Sequence, residues 1–128
     1  MSPIKLFENK KIRTFWNEAE EKWYFSIVDI IGILTDSVNP TDYLKKIRKR
    51  DDSLNSYLGT NCPQVEMQTQ TGKKRKTLAG NSEQLFRIIQ SIPSPKAEPF
   101  KLWLAKVGYE RVQEIENPEL AQERMKVL

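Results

Sequence analysis

The chain has 128 residues, of which 38% are hydrophobic and 30% charged, and a net charge of +4. That suits one soluble domain with a real core and excludes a disordered chain. With no histidine and one cysteine, Cys62, it also excludes an intrachain disulfide, a conventional zinc cage and Ser-His-Asp or Cys-His nucleophilic machinery.

Ile4 to Trp16 and Lys22 to Ile27 carry period-2 apolar patterns interrupted by the turn-like Glu8-Asn9-Lys10-Lys11. Asn17 to Glu21 is a polar connector of hairpin length, so residues 4–27 read as a small antiparallel meander. Trp16, Trp23 and Phe25 are read as core rather than as base-stacking residues. Ser26 opens a first helix, with Asp29 as the acidic member of a capping box. Ile27, Val28, Ile30, Ile31, Ile33 and Leu34 make that helix apolar nearly all round, and Gly32 permits close packing.

Asn39 and Pro40 then supply a cap and a first helical residue for NPTDYLKKIRKRDD. On a helical wheel Tyr43, Leu44 and Ile47 form an apolar seam. Lys45, Arg48 and Lys49 lie opposite, Lys46 on a flank and Arg50 near the apolar edge. The first helix and this basic one resemble a helix-turn-helix arrangement. Asp51 to Pro63 reads as a loop with at most one helical turn, at Leu54, Tyr57 and Leu58. Gln64 to Thr69 and Lys74 to Ala79 read as a hairpin turning at Gln70-Thr71-Gly72-Lys73, with Lys73, Lys74, Arg75 and Lys76 on its tip and return arm.

Asn81-Ser82-Glu83-Gln84 is a capping-box start for a helix to about Ser91, with Leu85, Phe86, Ile88, Ile89 and Ile92 on one face. A further helix is expected from Pro95 to Gly108, becoming regular only at Pro99, and another from Tyr109 to Glu116. Asn117-Pro118 starts a last one. The expected fold class is therefore α+β: a small antiparallel sheet, built from the meander and the hairpin, packed with about five or six helices.

Positive charge is concentrated. Residues 1–107 carry 18 basic and 12 acidic side chains, whereas residues 108–128 carry 3 and 5. Nine of the 21 basic residues lie in the two runs Lys45–Arg50 and Lys73–Lys76. Like charges this dense repel one another, and a phosphate backbone relieves that repulsion. The bland reading of the same residues is a solvated helix face and lysines protecting a sheet edge.

Three ordered motifs resemble one family, the Bro-N domain of baculovirus repeated reading frames and prophage antirepressors. WYFSIVDIIGILT (Trp23 to Thr35) resembles its WFVAKDVxxxLGY segment. TLAGNSEQLFRIIQS (Thr77 to Ser91) resembles LINESGLYxLIxxS, with Gln84 at that segment's glycine. SPKAEPFKLWL (Ser94 to Leu104) is similar to the family's FxxWV helix. ENPELAQERM (Glu116 to Met125) resembles DNA-damage-inducible protein D, and KVGYERVQEIENP replaces the family's LPxIRxxG ending. The resemblance implies an α+β DNA-binding domain of a phage-type regulator, often fused to a variable C-terminal domain, with no enzymatic activity and no cofactor.

The leading expectation is thus a double-stranded DNA-binding domain at residues 1–107, followed by a helical extension at 108–128 that leads to a further C-terminal region. Lys45, Lys46, Arg48, Lys49, Arg50, Lys73, Lys74, Arg75 and Lys76 are its expected contacts. Thr41, Asp42 and Thr77 are candidate polar readers. The rigid helix is expected to read bases, and a hairpin tip made mobile by Thr71-Gly72 to clamp the backbone. A rival from another class is a protein-interaction module that binds a repressor, with a homodimer as a further partner arrangement. A magnesium nuclease using Asp36, Asp42, Asp51 or Asp52 has no supporting spacing. No apolar run approaches the ~20 residues of a membrane span, and the expected compartment is the cytoplasm.

Overall fold

A computed structural model describes residues 4–69 and 71–116, with side-chain surroundings for 6–69 and 71–107. β1 (Ile4–Phe7) and β2 (Lys10–Asn17) are joined by Glu8 and Asn9, at φ 49° and 67°. Positive φ at both central residues is what a two-residue hairpin needs to match strand twist. β3 (Lys22–Ser26) completes the meander. A second hairpin, β4 (Gln64–Gln68) and β5 (Lys74–Gly80), joins it through only two register pairs, Phe25↔Gly80 and Ser26↔Ala79. The strand order is β1-β2-β3-β5-β4, with every neighbouring pair antiparallel.

Alternation along the strands gives this sheet two faces. Ile12, Thr14, Trp23 and Phe25 turn toward the helices and are buried. Tyr24 turns the other way and forms a second, smaller core with Met67 and Ala79, covered by Phe15 and Val65. The second hairpin therefore packs back over the outer face of the meander.

The helices fill the first face. α1 (Ile27–Thr35) starts at Ser26, whose Oγ accepts from Asp29 N at 3.3 Å. It buries Ile27, Ile30, Ile31, Ile33 and Leu34, as its all-round apolar pattern requires. α2 (Pro40–Arg50) packs on it where a Cβ at Gly32 would lie 3.3 Å from Pro40 Cγ. α4 (Ser82–Gln90) opens with the expected capping box, Asn81 and Gln84 each accepting the other's backbone N–H. α5 (Ala97–Glu116) brings Phe100 and Leu104 into the core.

Three expectations need correction. Residues expected as a loop form α3 (Asp52–Asn61). Asp51 caps it by accepting from Leu54 N at 2.9 Å, and Leu54 and Leu58, one turn apart, are buried. Tertiary burial overrides a Ser-, Asn- and Gly-rich composition there. The two helices expected on either side of Gly108 are one, α5, which begins at Ala97 with Pro99 in its first turn, where its missing N–H costs little. The carboxylate of Asp29 does not cap α1; it reaches across to Arg13 of β2. The helix expected from Asn117 lies outside the described residues.

Trp103 completes the frame. Its Nε1 donates to Leu6 O at 2.9 Å, covering part of the free edge of β1, while its ring stands 5.8 Å from Phe7 and 5.3 Å from Phe100. Phe100→Ala should cost about 3–5 kcal/mol in urea unfolding, because Phe100 is wholly enclosed. Trp103→Phe should cost less, about 1–2 kcal/mol, from one hydrogen bond and the lost half of the indole at a partly exposed site. Equal losses from the two variants would mean that the edge contact, rather than ring packing, anchors α5.

Candidate nucleic-acid interface

α2 holds its cationic side chains outward because its other side is committed. Asn39 Oδ1 accepts from Asp42 N at 3.1 Å, Pro40 takes the first turn, and Leu44 and Ile47 are buried against the core. Lys45, Lys46, Lys49 and Arg50 are exposed. Arg48 differs from expectation: α3 packs beside it, so it is half-buried and donates from Nε to Asn55 Oδ1 at 2.6 Å. Lys46 pairs with Asp42 at 3.1 Å, and both are more than half exposed, so the pair contributes little stability and opens readily.

The hairpin divides its charges between two faces. The register sets Gln68 opposite Lys74, Met67 opposite Arg75 and Glu66 opposite Lys76. Lys74 and Lys76 therefore share one face with Gln64, Glu66 and Gln68, while Arg75 lies on the face that carries buried Met67. Lys73, Lys74, Arg75 and Lys76 are all exposed. The turn closes with Thr69 N donating to Lys73 O at 2.7 Å and Gly72 N to Thr69 O at 3.0 Å, with Gly72 at φ 85°. Glycine alone takes that backbone without strain.

Arg13 fixes the hairpin to the frame, and nothing in the sequence singles it out. Its Nε and Nη2 make a fork onto Asp29 Oδ2 and Oδ1 at 2.9 and 3.0 Å. Nη2 also reaches Ser26 Oγ at 3.2 Å, and Nη1 donates to Gln68 O at 2.9 Å, at the end of β4. One guanidinium thus joins β2, the start of α1 and the basic ribbon. The available signal is a lone cation alternating with inward Ile12 and Thr14, which shows its face but not its partners.

Most other cations are already engaged. Lys10 and Lys96 hold Asp36 at 2.7 and 2.9 Å. Lys101 pairs with Glu98, and Arg87 stacks 5.5 Å from the Tyr57 ring centre while donating to Ser91. By contrast, Lys45, Lys49, Arg50, Lys73, Lys74, Arg75 and Lys76 have no side-chain partner among the described residues, where only Lys11, Lys22 and Lys106 share that condition.

Among the acids weighed for metal chemistry, Asp36, Asp42 and Asp51 serve ion pairs or a cap, and Asp52 stands exposed in the first turn of α3. Among the described residues there is no group of three or more metal-ligating side chains, and no helix long and apolar enough to cross a membrane. Burial pushes the Cys62 thiol up to about 11, so it is a packing residue at neutral pH.

The chain is an α+β module in which seven of the ten cations without a side-chain partner among the described residues lie on one helix and one ribbon. The chain belongs to the BRO family through its N-terminal domain, Bro-N, whose family model matches residues 11–114 and so spans both basic runs. No curated protein and no solved structure matches the chain.

The ion-pair arrangement has a pH signature. Hydrogen bonds from Lys10 and then Lys96 hold the Asp36 carboxyl at about 2, below its ordinary 3.8. A depressed carboxylate stabilises the fold above its unfolded value, and that stabilisation is lost as pH falls through the folded value. Asp36→Asn should lower the urea midpoint at pH 6, and its gap from wild type should close between about pH 4 and 2. Asn tolerates the left-handed backbone of Asp36 (φ 53°), so the variant isolates the charge. A gap independent of pH would contradict the pairing.

Proposed function

We propose that this domain binds duplex DNA as part of a phage-type antirepressor or transcriptional regulator. Lys45, Lys46, Lys49 and Arg50 of α2 and Lys73, Lys74, Arg75 and Lys76 of the β4–β5 ribbon contact phosphate, and Arg48 braces α2 on α3. The observation that carries this reading is the partition of charge: cations elsewhere are mostly engaged by acids or rings, whereas both runs stand exposed and largely unpartnered. Leaving so many like charges together is unfavourable for an isolated domain and becomes favourable once a polyanion releases its counterions. Membership of the Bro-N family supports the same class of activity.

Binding to a repressor protein instead would call for a continuous apolar patch. Among the described residues the large exposed hydrophobics are Leu6, Val38 and Leu102, and Trp103, next to Leu102, bonds Leu6 O, so a repressor would be expected at this β1–α5 edge. The charge partition favours DNA.

The test is a salt titration of the affinity for a random duplex. If the seven side chains without partners each contact a phosphate, log K against log[salt] should have a slope of about −6. Lys45→Ala with Lys49→Ala should make that slope shallower by about 2, and neutralising Lys73, Lys74 and Lys76 by about 3. Melting temperature should stay within a few degrees in both, because none of these side chains packs in the core. Affinity that does not change with salt would contradict phosphate binding and favour the protein-partner reading.

A further inference from the structure

The two cationic elements differ in what accompanies the charge. Apart from Thr41 and Asp42, the open side of α2 offers only Lys and Arg. The open face of the β4–β5 ribbon carries Gln64, Glu66 and Gln68 on one strand, with Lys74 and Lys76 opposite the last two in reverse order. All five are exposed, whereas Val65, Met67 and Ala79 turn toward the meander. We propose that this ribbon face reads base edges in the major groove, with Gln64 and Gln68 as its principal reading side chains and Lys74 and Lys76 on the flanking phosphates. The proposal rests on the DNA-binding reading above and adds which element carries sequence preference.

Chemistry and dimensions favour the ribbon. The major groove admits a two-stranded antiparallel ribbon, and its base edges are matched by the side chains present. Glutamine pairs in bidentate fashion with adenine N6 and N7, and glutamate accepts from cytosine N4. Gln64 and Gln68 are four residues apart on one strand face, roughly 13 Å. Along the groove that is about four base-pair steps. Arg75, on the opposite face of the ribbon, joins Lys74 and Lys76 on the phosphates beside the groove.

The ribbon is also held in place. Met67 is 1% exposed and packs with Tyr24 and Ala79. Arg13 donates to the carbonyl of Gln68, and Ala79 N donates to Pro63 O at 2.9 Å. A hairpin anchored on one face and at both ends of β4 meets the requirement that a reading element keep its side chains in register. The contrast between a rigid helix and a mobile tip, which assigned reading to α2, therefore disappears. α2 becomes the phosphate grip that sets the orientation of the ribbon.

The test uses the full 128-residue chain. A preferred duplex is selected from a random library, and affinities for it and for a scrambled duplex are measured. Gln64→Ala with Gln68→Ala changes no charge and keeps the Gln68 carbonyl on Arg13. It should weaken binding to the selected duplex at least about tenfold, leave the scrambled duplex within about twofold, and leave the salt slope unchanged. Each single change should give an intermediate ratio. Lys45→Ala with Lys49→Ala should weaken both duplexes alike. An unchanged ratio in the glutamine variant, a collapse of the ratio in the lysine variant alone, or a selection that enriches no sequence would each overturn the ribbon assignment while leaving phosphate binding standing. If the wild-type chain binds no duplex at low salt, the phosphate reading fails as well.

Discussion

The fork between Arg13 and Asp29 is the contact on which the arrangement depends. It joins a strand of the meander to the first helix, and the same guanidinium holds the end of β4 through Gln68 O. The two side chains are 24% and 18% exposed, so neither charge is well served by water if the other is removed. Breaking a wholly buried pair costs about 3–5 kcal/mol, and partial exposure places this one somewhat below that range. The β3–β5 pairing that connects the two halves of the sheet spans only two residues on each strand. A side-chain junction is therefore needed to fix the angle between meander and ribbon.

The fold also determines how charge is distributed. The acids nearest the frame are committed internally: Asp29 to Arg13, Asp36 to Lys10 and Lys96, and Asp51 to the cap of α3. With these engaged, few carboxylates remain to neutralise α2 or the ribbon. Asp51 also donates its backbone N–H to Ile47 O while capping α3 with its carboxylate, so one residue ends the basic helix and begins its support. The field that a polyanion would meet is thus a consequence of how the fold uses its acids, more than of a net charge of +4.

Much of the fold is legible in the sequence because it rests on local chemistry. Ser26, Asn39 and the Asn81/Gln84 box mark helix starts by side-chain bonds formed within three residues, and period-2 alternation marks the strands. What stays hidden depends on distant partners. α3 lacks a strong amphipathic pattern and is held by buried Leu54 and Leu58, with Arg48 bonded to Asn55 and Gln84 bonded to Asn61 O. Arg48 looks freely solvated on a helical wheel because the wheel omits α3. Asp29 has the right spacing for a cap, and only the position of β2 shows that its carboxylate goes elsewhere. The candidate site follows the same division. The two basic runs are visible as strings of letters, but the separation of Lys74 and Lys76 from Arg75, and the company of Gln64 and Gln68, require the strand register.

The central proposal is that α2 and the β4–β5 ribbon both contact one DNA duplex. The most direct test is a backbone amide spectrum of the isotopically labelled chain during titration with duplex DNA. The account predicts that shifts concentrate at residues 41–50 and 64–76 and move together with a single binding constant, while the core residues of α1 and α4 stay fixed. Shifts confined to α4 and α5, or two runs that respond at separate DNA concentrations, would contradict it.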